Sequence, residues 1–343
     1  MGQVVKGLEF FVLSLVDVTQ RQAYPLAVQQ TVRSAAEKQA LKERKKPRAK
    51  RAKKTKGKPK GRPPGSRNKD KNEVKWSPEL LRINELLGTL LKLLRVFVGV
   101  KYLALDGHLG HQQAVLLAQQ NGLQLISKLR KDAALYEKYD GAYRGRGPQR
   151  KYGARLNYEQ LPPKYLKQSE TQGDLCTQYY QGLFLHPEFA QALNAVIIVK
   201  TNLKTQKVGH VILFSSDAEL GWEQLVDYYS LRFQIEFNFR DAKQHFGLED
   251  FMNTTATGVE NAANLSFLLV NVSAKMRADS AAKEEGVLDL KTRFRGCKYA
   301  LEAIKMLLEN PETIISPAAI EDVQTRISQL GRIHRPKAAA SSA

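Results

Sequence analysis

The chain has 343 residues, enough for one large or two ordinary domains, and 43% of them are hydrophobic, which supplies a real core and excludes disorder throughout. Cys176 and Cys297 lie too far apart in sequence for a disulfide framework or paired metal-ligand spacing, no leader pattern opens the chain, and no apolar run reaches the length of a membrane span; a soluble cytoplasmic protein is expected. The net charge of +20 is concentrated, because Lys42 to Lys75 holds 17 Lys and Arg against Glu43, Asp70 and Glu73.

Residues 8–16 and 22–28 read as two strands joined by a polar turn at Asp17 to Arg21, a hairpin. The basic run that follows, taken as residues 42–76, has few apolar side chains and many Pro and Gly, so it is expected to be a flexible insertion rather than part of a core. A solvated linker has this composition too. A polyanion meeting it would release counterions and bind in a salt-dependent, sequence-independent way, so nucleic acid is the expected partner. Its KGRPPGSR stretch, with Arg62 and Arg67, is similar to an AT-hook, whose extended Arg enters a narrow minor groove.

Residues 78–98 carry apolar side chains at helical spacing and should pack against a sheet. Next, residues 100–105 read as a buried strand ending at Asp106 and Gly107, followed by a helix near 110–121 and a strand at 123–129, in α/β style. Composition shifts to Tyr, Gly, Arg and Pro over 136–192, which suggests an inserted loop-rich or β-rich subdomain. Strands resume at 195–200 and 210–215, and Ser216 or Asp217 is placed to cap the next helix. That helix ends at Gly247, and helices follow at 259–276 and after 283, with a disordered tail from Lys337.

The stretch YYSLRFQIEFNFRDAKQHFG, residues 228–247, mixes six aromatic rings with several charges. On a helix turning about 100° per residue, Tyr229, Arg232, Glu236, Arg240 and Lys243 share one face, while Tyr228, Leu231, Ile235, Phe239, Ala242 and Phe246 share the other. An ordinary amphipathic helix with Arg232–Glu236 and Glu236–Arg240 pairs would satisfy the same pattern.

Tyr229, Arg232, Glu236 and Lys243, at spacings of two, three and six intervening residues, resemble the Y-R-E-K signature of bacterial insertion-sequence transposases of the insertion-sequence-four type. The order of a buried strand ending in an acid, a long insertion, a strand and a Glu-bearing helix is similar as well, over residues 7 to 275. The resemblance implies an α/β, ribonuclease H-like mixed sheet flanked by helices, with an inserted loop or β-rich region and a C-terminal helical segment. The implied layout is a first part of the core at 1–41, the basic insertion at 42–76, the core continued at 77–135, the inserted subdomain at 136–192, the core again at 193–280, and helices and tail at 281–343.

In-line phosphoryl transfer on DNA is served by two divalent ions, and hard ions require carboxylate oxygens. The resemblance therefore implies Asp106 and Glu236 as catalytic acids and metal ligands, Mg2+ (or Mn2+ in its place) as the cofactor, and Tyr229, Arg232, Lys243 and the neighbouring Arg240 as groups that hold phosphates. It implies transposon-end inverted repeats as the DNA partner, a homodimer on DNA, no membrane, and a nucleoid-associated bacterial protein. His108 and His111 in DGHLGH raise a competing transition-metal reading at Asp106, but histidines flanking a turn usually face solvent.

A DDE site needs a third acid. The sole Asp before the basic run is Asp17, which sits where the hairpin turns, and the hairpin resembles the second and third strands of the family core; Asp17 is expected to be a turn residue, and Glu9 is mid-strand. The first strand with its acid is expected upstream, making the chain an N-terminally shortened copy. The rival readings are a non-enzymatic DNA-binding remnant and another ribonuclease H-like nuclease.

Overall fold

The computed structural model describes residues 7–45, 70–72, 76–143, 145, 149–250, 252–279 and 285–308, with 317 and 321. Most of the basic run, including Arg62 and Arg67, lies outside the described residues, as do Arg144 and Arg146, expected from charge and a Gly-rich setting to contact DNA, and the C-terminal tail. The chain divides into two compact units, one of Met1–Leu15, Ala23–Gln30 and Ile235–Ala343, the other of Val16–Gln22 and Thr31–Gln234.

The first unit begins with the hairpin strands β1 (Phe10–Asp17) and β2 (Gln22–Gln30), whose tips belong to the second unit. They form a two-stranded sheet of their own. Two strands cannot bury a core alone. Here Val12 and Val28 pack with Ala242, Leu248, Ala263, Phe267 and Val270 from α5 (Gln234–His245), α6 (Ala256–Asp279) and the turn between them. Pro25 stands within β2, as suits a strand with an open edge. Carbonyls of β2 are satisfied by side-chain amides instead of a third strand: Asn238 donates to Ala23 at 3.0 Å, Asn264 to Val28 at 3.1 Å and Asn271 to Pro25 at 2.6 Å. Helix α5 ends as expected at Gly247, whose φ of 70° suits glycine, and the Leu248 N–H bonds back to the Ala242 carbonyl, closing the helix end. Helix α7 (Val287–Leu308) packs on α6, and its Lys291 ammonium donates to the His245 carbonyl at the end of α5.

The second unit is mixed α/β around a six-stranded sheet in the order β3-β4-β10-β9-β8-β7. Strand β3 (Tyr102–Ala104) pairs parallel with β4 (Gln124–Leu129) across helix α3 (Gln112–Gln120), which is the expected strand-helix-strand unit. The other pairings are antiparallel and run through β10 (Val208–Ser215), β9 (Leu193–Asn202), β8 (Leu175–Phe184) and β7 (Leu166–Gln172). Thus β7 and β8, drawn from the 136–192 region, are strands of the main sheet, and β5 (Tyr136–Lys138) and β6 (Tyr152–Arg155) form a separate ribbon. Strand β9 reads as a near-continuous apolar run because both of its faces are covered.

Helix α2 (Pro78–Leu94) is capped by the Ser77 hydroxyl, starts on a proline and buries Leu80, Ile83, Leu87 and Leu91 at helical spacing against α3 and its surroundings. Helix α1 (Ala35–Lys45), which the sequence reading placed partly in the hairpin segment and partly in the basic insertion, is opened by a reciprocal cap: the Glu37 N–H donates to the Ser34 hydroxyl and the Ser34 N–H to the Glu37 carboxylate. Arg82 on α2 pairs with Glu37 at 3.0 Å; the Ser34 N–H first and this guanidinium next hold the carboxyl below its ordinary pKa.

The single helix expected across 228–247 is two helices. Helix α4 (Trp222–Leu231) closes in a tightened turn in which the Arg232 N–H bonds to the Tyr229 carbonyl and the Phe233 N–H to the Ser230 carbonyl, and α5 starts afresh at Gln234. The N-cap of α4 is Gly221, not Ser216 or Asp217. Asp217 is nearly buried and engaged elsewhere, accepting the Tyr102 hydroxyl at 2.9 Å, the Lys101 ammonium at 2.9 Å and the Glu219 N–H at 3.0 Å. Ser216 is likewise committed, bonding Leu125 and Gln124 on β4. Neither residue is left for the helix.

Candidate active site

Asp106 follows the carboxyl end of β3, where open α/β sheets present ligands. Its backbone is fixed from β4: the Leu105 N–H bonds to the Ile126 carbonyl at 3.0 Å, and the buried Ser127 hydroxyl donates to the Asp106 carbonyl at 3.1 Å. A short 3-10 turn at Gly107–Leu109 follows, and the Asp106 side chain makes no capping bond to it. The two glycines of DGHLGH have a packing reason. A Cβ on Gly110 would collide with the Lys128 carbonyl oxygen, and one on Gly107 would sit 3.3 Å from the Lys128 Cβ. With both glycines, the turn lies flat on β4 and the Asp106 carboxylate projects into solvent, 64% exposed.

Arg232 reaches that carboxylate from the end of α4, Nη2 to Oδ1, at 3.8 Å. Its guanidinium also lies over the Tyr229 ring, 5.6 Å from the centroid. Tyr229 in turn packs, with Tyr228 and Trp222, on the core of Ile126, Val196, Leu213, Leu220 and Leu225. Burial pushes the Tyr229 phenol above its ordinary pKa, while Arg232 pulls it down and Asp106 pushes it further up. Three residues singled out from sequence, Asp106, Tyr229 and Arg232, therefore share one locality of the second unit. It combines an open carboxylate with a half-buried guanidinium seated on a ring, an arrangement able to hold an anionic group beside an acid.

Glu236, Arg240 and Lys243 belong to α5 in the first unit and are exposed on it. The expected buried wall of that helix holds over Ile235, Phe239, Ala242 and Phe246, which line its core. Arg240 is held against its neighbour Asp241 at 3.2 Å and over the Phe237 ring at 4.9 Å, and Lys243 pairs with Glu249 at 2.5 Å. Arg240 and Lys243 thus carry intrahelical or local partners that a phosphate would have to displace.

The histidines of DGHLGH take other roles. His108 faces Glu79 on α2 at 3.5 Å. His111 stands at the N-cap position of α3, half-buried, and burial first, then the neighbouring His108, lower its pKa. Among the described residues no three His, Cys, Asp or Glu gather in a way that could hold a metal ion. Asp106 faces a guanidinium, not a second acid, so the donor set of its unit does not by itself fit a divalent pair. Asp17, the candidate third acid, accepts the Gln20 N–H at 2.9 Å on its Oδ1, a bond within the β1–β2 turn, and Arg21 closes that turn with a φ of 53°.

Sequence reading did not find that Ser127 and the backbone of Lys128, a residue marked from charge only as a DNA contact, seat the Asp106 turn, nor that Asn238 is a buried amide on α5. The glycine pair was a usable signal for the first two; a polar residue in the middle of an apolar stripe was the signal for the third.

Residues 83–272, more than half of the chain, match a family model described as a transposase DDE domain. The matched span contains Asp106, Tyr229, Arg232, Glu236, Arg240 and Lys243 and excludes Arg62 and Arg67. Among curated proteins none matches. No helix among the described residues is long and apolar enough to cross a membrane.

Proposed function

The chain belongs to the transposase DDE domain family, and from that premise we propose that it cuts and joins DNA strands at the ends of an insertion sequence, on a ribonuclease H-like core, with Asp106 and Glu236 as its acids and with Mg2+ or Mn2+ supplied. Such families generally use divalent metals. The observation that carries the reading is the seating of Arg232 and Tyr229 beside the open Asp106 carboxylate, since the signature pair and an acid picked out separately by its place after a strand are remote in sequence and have no structural need to meet. Arg232, as a planar fork, holds a phosphate of the cleaved strand; Tyr229 supports the fork through its ring. Arg240 and Lys243 hold phosphates from α5, and Arg62 and Arg67 add non-specific hold on the duplex. Two ends cut in concert call for a homodimer on DNA.

The test is strand cleavage of duplexes taken from the flanks of the chain's own coding sequence, with Mg2+ or Mn2+. Cleavage at the element ends is expected, and Asp106→Ala or Glu236→Ala should abolish it while DNA binding persists. Unchanged cleavage with either substitution sinks the assigned roles, and cutting without regard to element ends points to a general nuclease of related core.

A second reading has its own observation. The Asp17 carboxylate is engaged within its turn, which favours a non-enzymatic DNA-binding protein in which Asp17 is no metal ligand. Under that reading, no cleavage appears with either ion, while binding remains and weakens steeply with salt.

A further inference from the structure

The β5–β6 ribbon carries a set of cations that the catalytic reading does not use. Cross-strand register pairs Tyr136 with Arg155 and Lys138 with Tyr152, so aromatic and basic side chains alternate on one face. The Tyr136 and Tyr152 rings meet at 5.2 Å, which braces that face. Beside them, the Arg150 guanidinium lies 5.0 Å from the Tyr139 centroid and its Nε donates to the Tyr152 carbonyl at 2.8 Å. The Lys151 ammonium sits 6.0 Å from the Tyr152 centroid.

Lys138, Arg150, Lys151 and Arg155 are all exposed, and none forms an ion pair with another described residue. The ribbon's own acid does not neutralise them: Glu137 is taken by Lys164 at 2.7 Å and by the Tyr165 hydroxyl at 2.7 Å. A surface that merely needs solubility has no use for cations laid over rings and tied to carbonyls. Ordering them in advance removes part of the entropy that a polyanion would otherwise have to supply on binding. The tyrosines are only partly exposed, and two of the rings that could stack a base are covered by cations, so the face suits phosphates better than bases. A two-stranded ribbon also has the width of a duplex groove.

We propose that the β5–β6 ribbon grips the phosphate backbone of duplex DNA through Lys138, Arg150, Lys151 and Arg155. This rests on the reading of the chain as a DNA-acting protein and adds a contact surface separate from Asp106 and Arg232.

The test compares the full chain with a variant carrying Lys138→Gln, Arg150→Gln, Lys151→Gln and Arg155→Gln, titrating a duplex of arbitrary sequence at several salt concentrations. Four lost phosphate contacts should lower the slope of log affinity against log salt by roughly 3 to 4, at about 0.9 per contact, with equal effect on unrelated duplexes. An unchanged slope and affinity overturn the ribbon proposal and leave the catalytic reading intact. Failure of the unaltered chain to bind DNA at all overturns both. If the fourfold variant melts early, the single changes Lys138→Gln and Arg155→Gln decide the matter, each expected to lower the slope by about 1 and each counting against the proposal if it does not.

Discussion

Asp106 is held in place by what its neighbours lack. Gly110→Ala would drive a methyl into the Lys128 carbonyl, so the turn must lift off β4, and a loss of about 1–3 kcal/mol is expected on thermal or denaturant melting. The same change should cut strand-transfer activity by more than the stability loss alone explains, because the carboxylate moves with the turn. Asp17 provides the contrasting case. Asn keeps the oxygen that accepts the Gln20 N–H and removes the charge, so Asp17→Asn should leave both melting and cleavage unchanged if Asp17 serves the turn alone. Cleavage lost with the fold intact would make it the third acid. At this scale the sequence was informative about identity and poor on surroundings. The four-residue signature named Tyr229 and Arg232, yet nothing local in sequence announced that Lys128, one strand away, would shape the turn beneath Asp106, because sheet register is decided by long-range pairing.

Among elements, the break between α4 and α5 is the clearest departure from periodicity. A pattern of apolar residues at 3.6 spacing continues through Arg232 and Phe233, so the sequence reads as one helix and does not show the tightened turn at which α4 ends. Strands β1 to β4, β9 and β10 were legible from alternation or apolar runs with turn residues between them. The placement of β7 was not, since its side chains are mostly exposed and polar and its pairing with β8 provides the only order. Amide side chains deserve testing at this scale. Asn238→Ala strands the Ala23 carbonyl in a buried setting and should cost about 1–3 kcal/mol by equilibrium unfolding.

Asp217 gives the second unit an acid-labile joint between β3 and the segment after β10. Burial alone would raise its pKa, but the Lys101 ammonium, the Glu219 N–H and the Tyr102 hydroxyl outweigh this and hold it below its ordinary value. A depressed folded pKa means stability that is present above the unfolded pKa of about 3.9 and lost as pH falls through the folded value. Melting temperature should therefore drop below about pH 4, and Asp217→Asn should flatten that part of the profile at the cost of lower stability near neutrality.

For the molecule as a whole, the decisive feature is that the first unit is assembled from the two ends of the chain. Phe267, packed edge-on against Phe239 and surrounded by Val12 and Val28, ties α6 to the hairpin. Phe267→Ala should cost about 3–5 kcal/mol, read as a loss of protection in both hairpin and α6 amides by hydrogen exchange. Loss confined to α6 would separate the two.

That arrangement also has a history in time. During synthesis β1 and β2 emerge some two hundred residues before α6, which at ribosomal rates is a delay on the order of ten to forty seconds. Throughout it the hairpin shows Phe10, Val12 and Val28 uncovered and an open β2 edge whose partners Asn264 and Asn271 have not yet been made. A nascent chain of this kind needs either a holding chaperone or a slow, late closure, and its yield on expression should depend on which of the two the host supplies.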